Sequence, residues 1–274
     1  MQISVGLVVL AVSALVCVGF ALSAVLRIIR KARIYIATVS ACGYMSPPPS
    51  PGFLTFFDWF ARFVLFIQVG KVKITGKQHL KTAGPLIIAA NHPHYADPGV
   101  MAVVFDRQPV RYLAAQRLFN FAGGLVSLLA APVGAISVNL TPGKGGPARE
   151  TAIQVLTSGQ NLMMWPEGYA YMDGHLGEFK KGAVRIAKES GRRLGRPVHI
   201  VPVNIRYGRY PGKWINNYDC PVQYLIVLLC SWCYRRGATV VIGEPISSAD
   251  LPADDTQATE LLRARIIALD PVQS

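Results

Sequence analysis

The sequence is short of charged residues. Asp, Glu, Lys and Arg together make up 16% of its 274 residues, against about 25% in typical soluble domains. Apolar residues make up 51%. This composition disfavours an ordinary soluble enzyme, and it favours a protein that exposes part of its surface to lipid.

Acidic residues are the scarcer of the two charged classes. There are 15 Asp and Glu against 28 Lys and Arg, for a net charge of +13. Such an excess favours an anionic membrane surface or nucleic acid as partner, and a solvated basic surface without a specific partner accounts for it equally simply. Because no nucleic-acid-binding motif is present, the apolar composition favours membrane lipids as partners and disfavours nucleic acid.

Cysteines provide no disulfide framework, because there are five of them, an odd number. Cys230 and Cys233 form a lone CxxC inside an apolar run. Without a second pair, this motif indicates buried small side chains rather than a metal or redox centre. The glycines around Lys144 lack the spacing of a phosphate-binding loop and predict a surface turn.

The first 26 residues contain no charged side chain. As a helix they would reach about 39 Å, enough for a hydrocarbon core of about 30 Å. Basic residues follow at once, at Arg27, Arg30, Lys31 and Arg33. We therefore predict a single transmembrane anchor and basic flank over residues 1–33, with the rest of the chain on the cytoplasmic side of the membrane. A cleaved signal peptide is the alternative, although it usually begins with a basic segment.

Residues 34–70 predict a hinge followed by a helix. The proline-rich stretch MSPPPSPG cannot continue a helix. Phe53–Val69 is apolar and aromatic except for Thr55, Asp58 and Arg62, which share one narrow stripe at helical spacing. The last two are also spaced for an ion pair. We predict an amphipathic helix lying in the membrane interface, with burial in the core as the alternative.

From residue 71 short strand patterns alternate with helical ones. The predicted strands are Lys71–Thr75, Pro85–Ala90, Arg111–Ala115, Ala135–Asn139, Asn161–Trp165, His199–Ile205 and Thr239–Ile242. The predicted helices are Pro98–Phe105, Ala148–Thr157, Lys181–Ser190, Pro221–Tyr234 and Thr256–Leu269. This order predicts an α/β catalytic domain over residues 71–274, with a mixed, largely parallel sheet flanked by helices.

A polar loop, NHPHYADP, follows the predicted strand Pro85–Ala90 directly, at the place where α/β folds bind ligands. His92 and Asp97 are spaced to meet across a turn, and such a pair can take a proton from an alcohol. Asp97 before Pro98 equally predicts a helix N-cap, with His92 as an ordinary loop residue. Metal binding by His92 and His94 is a third interpretation, which no further His or Cys cluster supports.

A second turn, Trp165-Pro166-Glu167-Gly168, follows another predicted strand, and FKKGA opens a helix soon after it. Together these motifs resemble the glycerolipid acyltransferase family that includes lysophosphatidic acid acyltransferases. NHPHYADP matches its NHx4D signature and MMWPEG its FPEG block, while PVGAISVN, FKKGA, IVPVNI and VVIGEPI follow in the family's order over residues 71–246.

The resemblance implies transfer of a fatty acyl group from acyl-CoA or acyl carrier protein to a lipid hydroxyl, without a metal or organic cofactor. It implies that His92 is the general base and Asp97 its partner, and that Glu167 and Gly168 bind the acceptor. Asn91 and Pro166 support these motifs. An acyl-enzyme is not required, and Ser137 lacks a nucleophile-elbow sequence.

Three positions depart from the family pattern. Ala115, Leu140 and Ala170 stand where family members often carry cations associated with the acceptor's phosphate. Because charge-assisted contacts are the strong ones, we expect an acceptor without a terminal phosphomonoester. Nearby cations that can compensate are Arg117, Lys144, Lys180, Lys181 and Arg185. A non-catalytic lipid-binding protein on the same fold is the alternative.

Overall fold

The computed structural model describes residues 41–45, 50–120, 127–131, 133–212 and 235–270, with scattered positions before residue 41. The predicted spanning segment of residues 1–26 and the predicted helix Pro221–Tyr234, which includes the CxxC pair, lie outside these stretches. Within the described part of the chain, no helix combines the length and apolarity that crossing a bilayer requires.

The centre of the described structure is one eight-stranded sheet. Its strands are β1 Val72–Thr75, β2 Leu86–Ala90, β3 Val110–Ala115, β4 Ile136–Val138, β5 Asn161–Met164, β6 His199–Tyr207, β7 Ala238–Ile242 and β8 Ile246–Ser247. The spatial order is β1-β7-β6-β2-β5-β3-β4, and β8 pairs with β6. Only the pairings of β6 with β7 and with β8 are antiparallel among the described strands. The predicted mixed, largely parallel sheet is confirmed.

Helices cover both faces of this sheet. They are α1 Pro51–Gln68, α2 Asp97–Phe105, α3 Gln116–Asn120, α4 Ser127–Ala130, α5 Gly146–Thr157, α6 Gly182–Leu194 and α7 Asp255–Ile267, with a 3₁₀ turn at Lys77–Lys81. The side chains of β2 alternate between two hydrophobic clusters. Leu86 and Ile88 pack in the cluster that contains α1 and α2, and Ile87 packs in the cluster of α5, α6 and α7.

Helix α1 is buried on one side and exposed on the other. The predicted ion pair is present, with Arg62 Nε 3.0 Å from Asp58 Oδ2. However, Asp58 is buried, because Arg62 and Arg107 cover it from two sides. The exposed face is the aromatic one, where Trp59 is 62% and Phe66 is 65% exposed. The helix therefore packs one side against the core, while aromatic side chains and Arg62 are exposed.

The central strands bring distant loops to one edge of the sheet. β2 lies between β5 and β6 and runs parallel to both, with Ala89 opposite Met164 and Ala90 opposite Val203. All five residues of β2 are buried, as expected for a strand covered on both faces. The loops that follow β2 and β5 therefore emerge side by side, which places the two sequence motifs together.

Candidate active site

His92 and Asp97 are in contact at this edge. His92 Nδ1 lies 2.7 Å from Asp97 Oδ2, and the same carboxylate oxygen accepts a 3.0 Å hydrogen bond from the His94 N–H. Asp97 is completely buried. Helix α2 begins at Asp97 with Ala96 at the N-cap, and no side chain caps it. The prediction of Asp97 as the N-cap is thus wrong by one residue, because its carboxylate turns back to the loop instead.

The contact determines which nitrogen of His92 is available. An imidazole that donates from Nδ1 to a carboxylate carries its free lone pair on Nε2. The ring stacks on Trp165 with centroids 4.7 Å apart, and its side chain is 16% exposed where it lines a cavity of about 930 Å³. In this tautomer, Nε2 of His92 is free to accept a proton, and the ring borders an open space.

The second carboxylate oxygen of Asp97 is held by a residue that the sequence analysis missed. The hydroxyl of Tyr207, at the end of β6, donates a 2.6 Å hydrogen bond to Asp97 Oδ1. Burial raises the pKa of Asp97, and the donors around it oppose that rise. Burial also raises the pKa of Tyr207, helped by the neighbouring carboxylate, so the phenol keeps its proton and remains a donor.

Asn91 fastens the end of β2 to β6. Its Oδ1 accepts a 2.7 Å hydrogen bond from the Ile205 N–H, and its Nδ2 donates a 2.9 Å bond to the Ile205 carbonyl. This amide therefore extends the pairing of the two strands by one step. It also holds in register the strand end that carries Tyr207.

Glu167 lies at the centre of the site but faces the protein. Its Oε1 accepts a 2.6 Å bond from the His92 N–H and its Oε2 a 2.7 Å bond from the Gly177 N–H. The side chain is 4% exposed, and burial raises its pKa while the two N–H donors lower it. Both oxygens are thus engaged in joining two loops. Pro166 continues this support, since its carbonyl accepts from the Lys180 N–H at 2.8 Å.

His94 is a structural member of the same loop. It is buried, and its Nδ1 accepts a 3.0 Å hydrogen bond from the Ala96 N–H. Burial, together with the nearby His92, lowers the pKa of His94 to about 3. The ring is therefore neutral at ordinary pH, and it packs against the tilted rings of Tyr95 and Tyr207. This arrangement disfavours a metal site shared by His92 and His94.

The predicted cations separate into two groups. Lys180 lies against the turn at Gly168, which has a φ of +65° and where an added Cβ would come within 2.9 Å of Lys180 Nζ. Arg117 is close enough to contribute, after burial, to lowering the pKa of Lys180. By contrast, Lys181 donates to Thr256 and Arg185 pairs with Asp255. All four cations line the cavity that contains His92, as do Ala115, Leu140 and Ala170.

Comparisons with known proteins agree with this fold. The structure resembles the crystal structure of the 1-acyl-sn-glycerophosphate (LPA) acyltransferase PlsC from Thermotoga maritima, with a TM-score of 0.55 over 81% of this chain and 80% of that one. The sequences are 18% identical, so this likeness shows the fold alone.

A curated relative, the 1-acyl-sn-glycerol-3-phosphate acyltransferase of Borreliella burgdorferi, is 29% identical over 135 residues, which are 49% of this chain and 52% of the relative. The chain thus spans about half the length of that relative. The family model described as Acyltransferase matches residues 71–206, which contain β1 to β5, all of β6 except Tyr207, and both motifs. Through this segment, about half of its length, the chain belongs to the acyltransferase family.

Proposed function

We propose that this protein transfers a fatty acyl group from acyl-CoA or acyl carrier protein to the hydroxyl of a lipid. The observation that carries the proposal is the contact of the partly exposed His92 with the buried Asp97, 2.7 Å apart, at the wall of a large and mainly apolar cavity. A cavity of about 930 Å³ is large enough for a lipid-sized ligand.

In the proposed reaction, His92 Nε2 takes the proton of the acceptor hydroxyl, and the oxygen attacks the thioester carbonyl carbon. The new C–O bond forms as the C–S bond breaks, and the leaving thiolate takes the proton back from His92. Asp97 stabilises the imidazolium during this exchange. Atoms and charge balance without a metal or an organic cofactor.

The head group of the acceptor is proposed to be anionic. The expectation of an acceptor without a phosphomonoester depended on Ala115, Leu140 and Ala170. Lys180 and Arg117 support the revised proposal, because they bring two positive charges near the Gly168 turn of the same cavity. Within the described residues no carboxylate forms an ion pair with Lys180. The positive charge is thus displaced from the family's usual positions, and a phosphate there would be bound by charge-assisted contacts.

Membrane lipid is the proposed partner, with the catalytic domain on the cytoplasmic face and residues 1–33 as the anchor. The support in the described residues is α1, whose Phe57 and Phe60 line the cavity while Trp59 and Phe63 are exposed. Helix α1 therefore carries an exposed hydrophobic surface and also forms part of the wall of the cavity beside His92.

The test is thiol release from acyl-CoA by the purified full-length protein supplied with lysophosphatidate in mixed micelles. We expect turnover that His92→Ala abolishes while the variant keeps its circular dichroism spectrum. Near-normal turnover by His92→Ala rules out the mechanism. Absence of turnover in the unsubstituted protein with acyl-CoA, acyl carrier protein and a panel of acceptors favours a lipid-binding role.

A further inference from the structure

Tyr207 occupies a position that only the folded sheet creates. It ends β6, which lies beside β2, and its ring is 5% exposed. Its hydroxyl is 2.6 Å from Asp97 Oδ1, although the two residues are 110 positions apart in the chain.

The two carboxylate oxygens of Asp97 accept hydrogen bonds from different sides. Oδ2 faces the donors of the loop, which are the His92 ring and the His94 N–H. Oδ1 faces Tyr207, which is its hydrogen-bond donor among the described residues. Without Tyr207, a completely buried carboxylate oxygen would be left unsatisfied, which is a costly state for an ionised group.

The surroundings of Tyr207 prevent its hydroxyl from moving away. Its ring packs 4.7 Å from the His94 ring and 6.1 Å from the Tyr210 ring. Its N–H donates a 3.2 Å hydrogen bond to the Tyr210 hydroxyl. The pairing of Asn91 with Ile205 holds the same strand two residues earlier.

We propose that Tyr207 is a positioning residue for acyl transfer, which keeps Asp97 ionised and aligned so that His92 presents Nε2 to the acceptor hydroxyl. This inference rests on the proposed function and extends the pair to a chain of three hydrogen-bonded side chains. Tyr207 keeps its proton throughout, and its O–H donates a hydrogen bond to the carboxylate that faces the imidazolium. Among the described residues, the titratable side chains around this hydrogen bond are His92, His94, Tyr95, Glu167 and Tyr210.

The hydrogen bond from Tyr207 to Asp97 affects the pH dependence of the reaction. Donation from Tyr207 stabilises the carboxylate and so lowers the affinity of the His92–Asp97 pair for an additional proton. Removing the hydroxyl therefore makes the inactive, protonated pair persist to higher pH. A tyrosine that only fills space would have no such effect.

The experiment compares Tyr207→Phe with the unsubstituted full-length protein, using acyl-CoA and lysophosphatidate in mixed micelles. We expect kcat to fall about ten- to a hundredfold, as for loss of a hydrogen bond to a charged group, with KM values changed less than twofold. The acidic limb of the kcat profile should move to higher pH by roughly one unit. Tyr44→Phe is the matched control, because Tyr44 also packs against the core but does not line the cavity that contains His92, and its acidic limb should not move.

Two outcomes overturn the inference. One is a Tyr207→Phe variant with unchanged kcat, and the other is a lower kcat that accompanies a lower melting temperature without any movement of the acidic limb. His92→Ala separates this inference from the proposed function. If His92→Ala is inactive and Tyr207→Phe is normal, only the role of Tyr207 fails, whereas an active His92→Ala removes the proposed function itself.

Discussion

The main-chain N–H of His92 donates a 2.6 Å hydrogen bond to the side chain of Glu167, 75 residues further along the chain. The contact joins the two sequence motifs through the backbone of one and the carboxylate of the other. It indicates that Glu167 acts on the position of His92 rather than on the acceptor directly.

Glu167→Gln tests this support. The amide can still accept from the His92 N–H, but its NH₂ group would then face the Gly177 N–H, and an unpaired buried donor costs about 1–3 kcal/mol. We expect kcat to fall tenfold or more, a melting temperature lower by about 2–4 °C for each kcal/mol, and an acceptor KM within twofold. The exposed Glu178→Gln is the control. A large rise in acceptor KM at constant kcat would instead return Glu167 to a role in acceptor binding.

Lys180→Met and Arg117→Met test the anionic head group. Each variant removes one charge-assisted contact of about 1.5–3 kcal/mol, so the KM for lysophosphatidate should rise about 10- to 150-fold. The KM for a neutral monoacylglycerol should change little. Arg192→Met is the control, since Arg192 is exposed and pairs with Glu189 on α6. Preference of the unsubstituted protein for the neutral acceptor would restore the expectation drawn from Ala115, Leu140 and Ala170.

The aromatic face of α1 is tested by a Trp59→Ser, Phe63→Ser double variant. The two rings stack 5.9 Å apart and are both more than half exposed, and each large apolar side chain gains about 1.5–3 kcal/mol on burial. We expect turnover of a long-chain acceptor embedded in vesicles to fall tenfold or more. Turnover of a short-chain acceptor in solution should be unchanged, and Thr55→Ala on the same helix should behave as the unsubstituted protein. Equal losses with both acceptors would show that the aromatic face supports the fold instead.

His94 makes stability depend on pH. Its pKa is lowered to about 3 in the fold, from an ordinary value of 6.5, so below about pH 6.5 the unfolded chain binds a proton that the folded chain does not. Stability should therefore fall with decreasing pH across this interval, by at most about 1.4 kcal/mol per pH unit from this residue. His94→Asn, whose side-chain oxygen can still accept from Ala96, should show a shallower fall in melting temperature between pH 7 and pH 5. His175→Asn, at an exposed position, should keep the original slope.

Much of this arrangement follows from local patterns. The apolar run before Asn91 predicted β2, the run before Pro166 predicted β5, and their shared edge followed from the parallel order. The H-x4-D spacing predicted a contact because both residues lie in one loop. Such inferences succeed where the partners are close in sequence or end neighbouring strands.

What escaped prediction depends on packing between distant segments. Tyr207 carries no motif, and only the pairing of β2 with β6 brings it to Asp97. The stripe on α1 predicted the ion pair of Asp58 and Arg62, but no spacing indicates that Arg107 would also cover the carboxylate. The contacts of Glu167 escaped for a similar reason, since its partners are backbone groups that any residue supplies.

The order of the central strands also determines when the site becomes complete during synthesis. His92 and Asp97 leave the ribosome early, whereas Tyr207 follows Asp97 by 110 residues. At about 5–20 residues per second, this interval lasts roughly 5–20 s, during which the aspartate lacks its tyrosine partner and β2 lacks its neighbour β6. A nascent chain therefore carries the NHx4D motif before the three side chains can meet, and they come together only after β6 has docked beside β2.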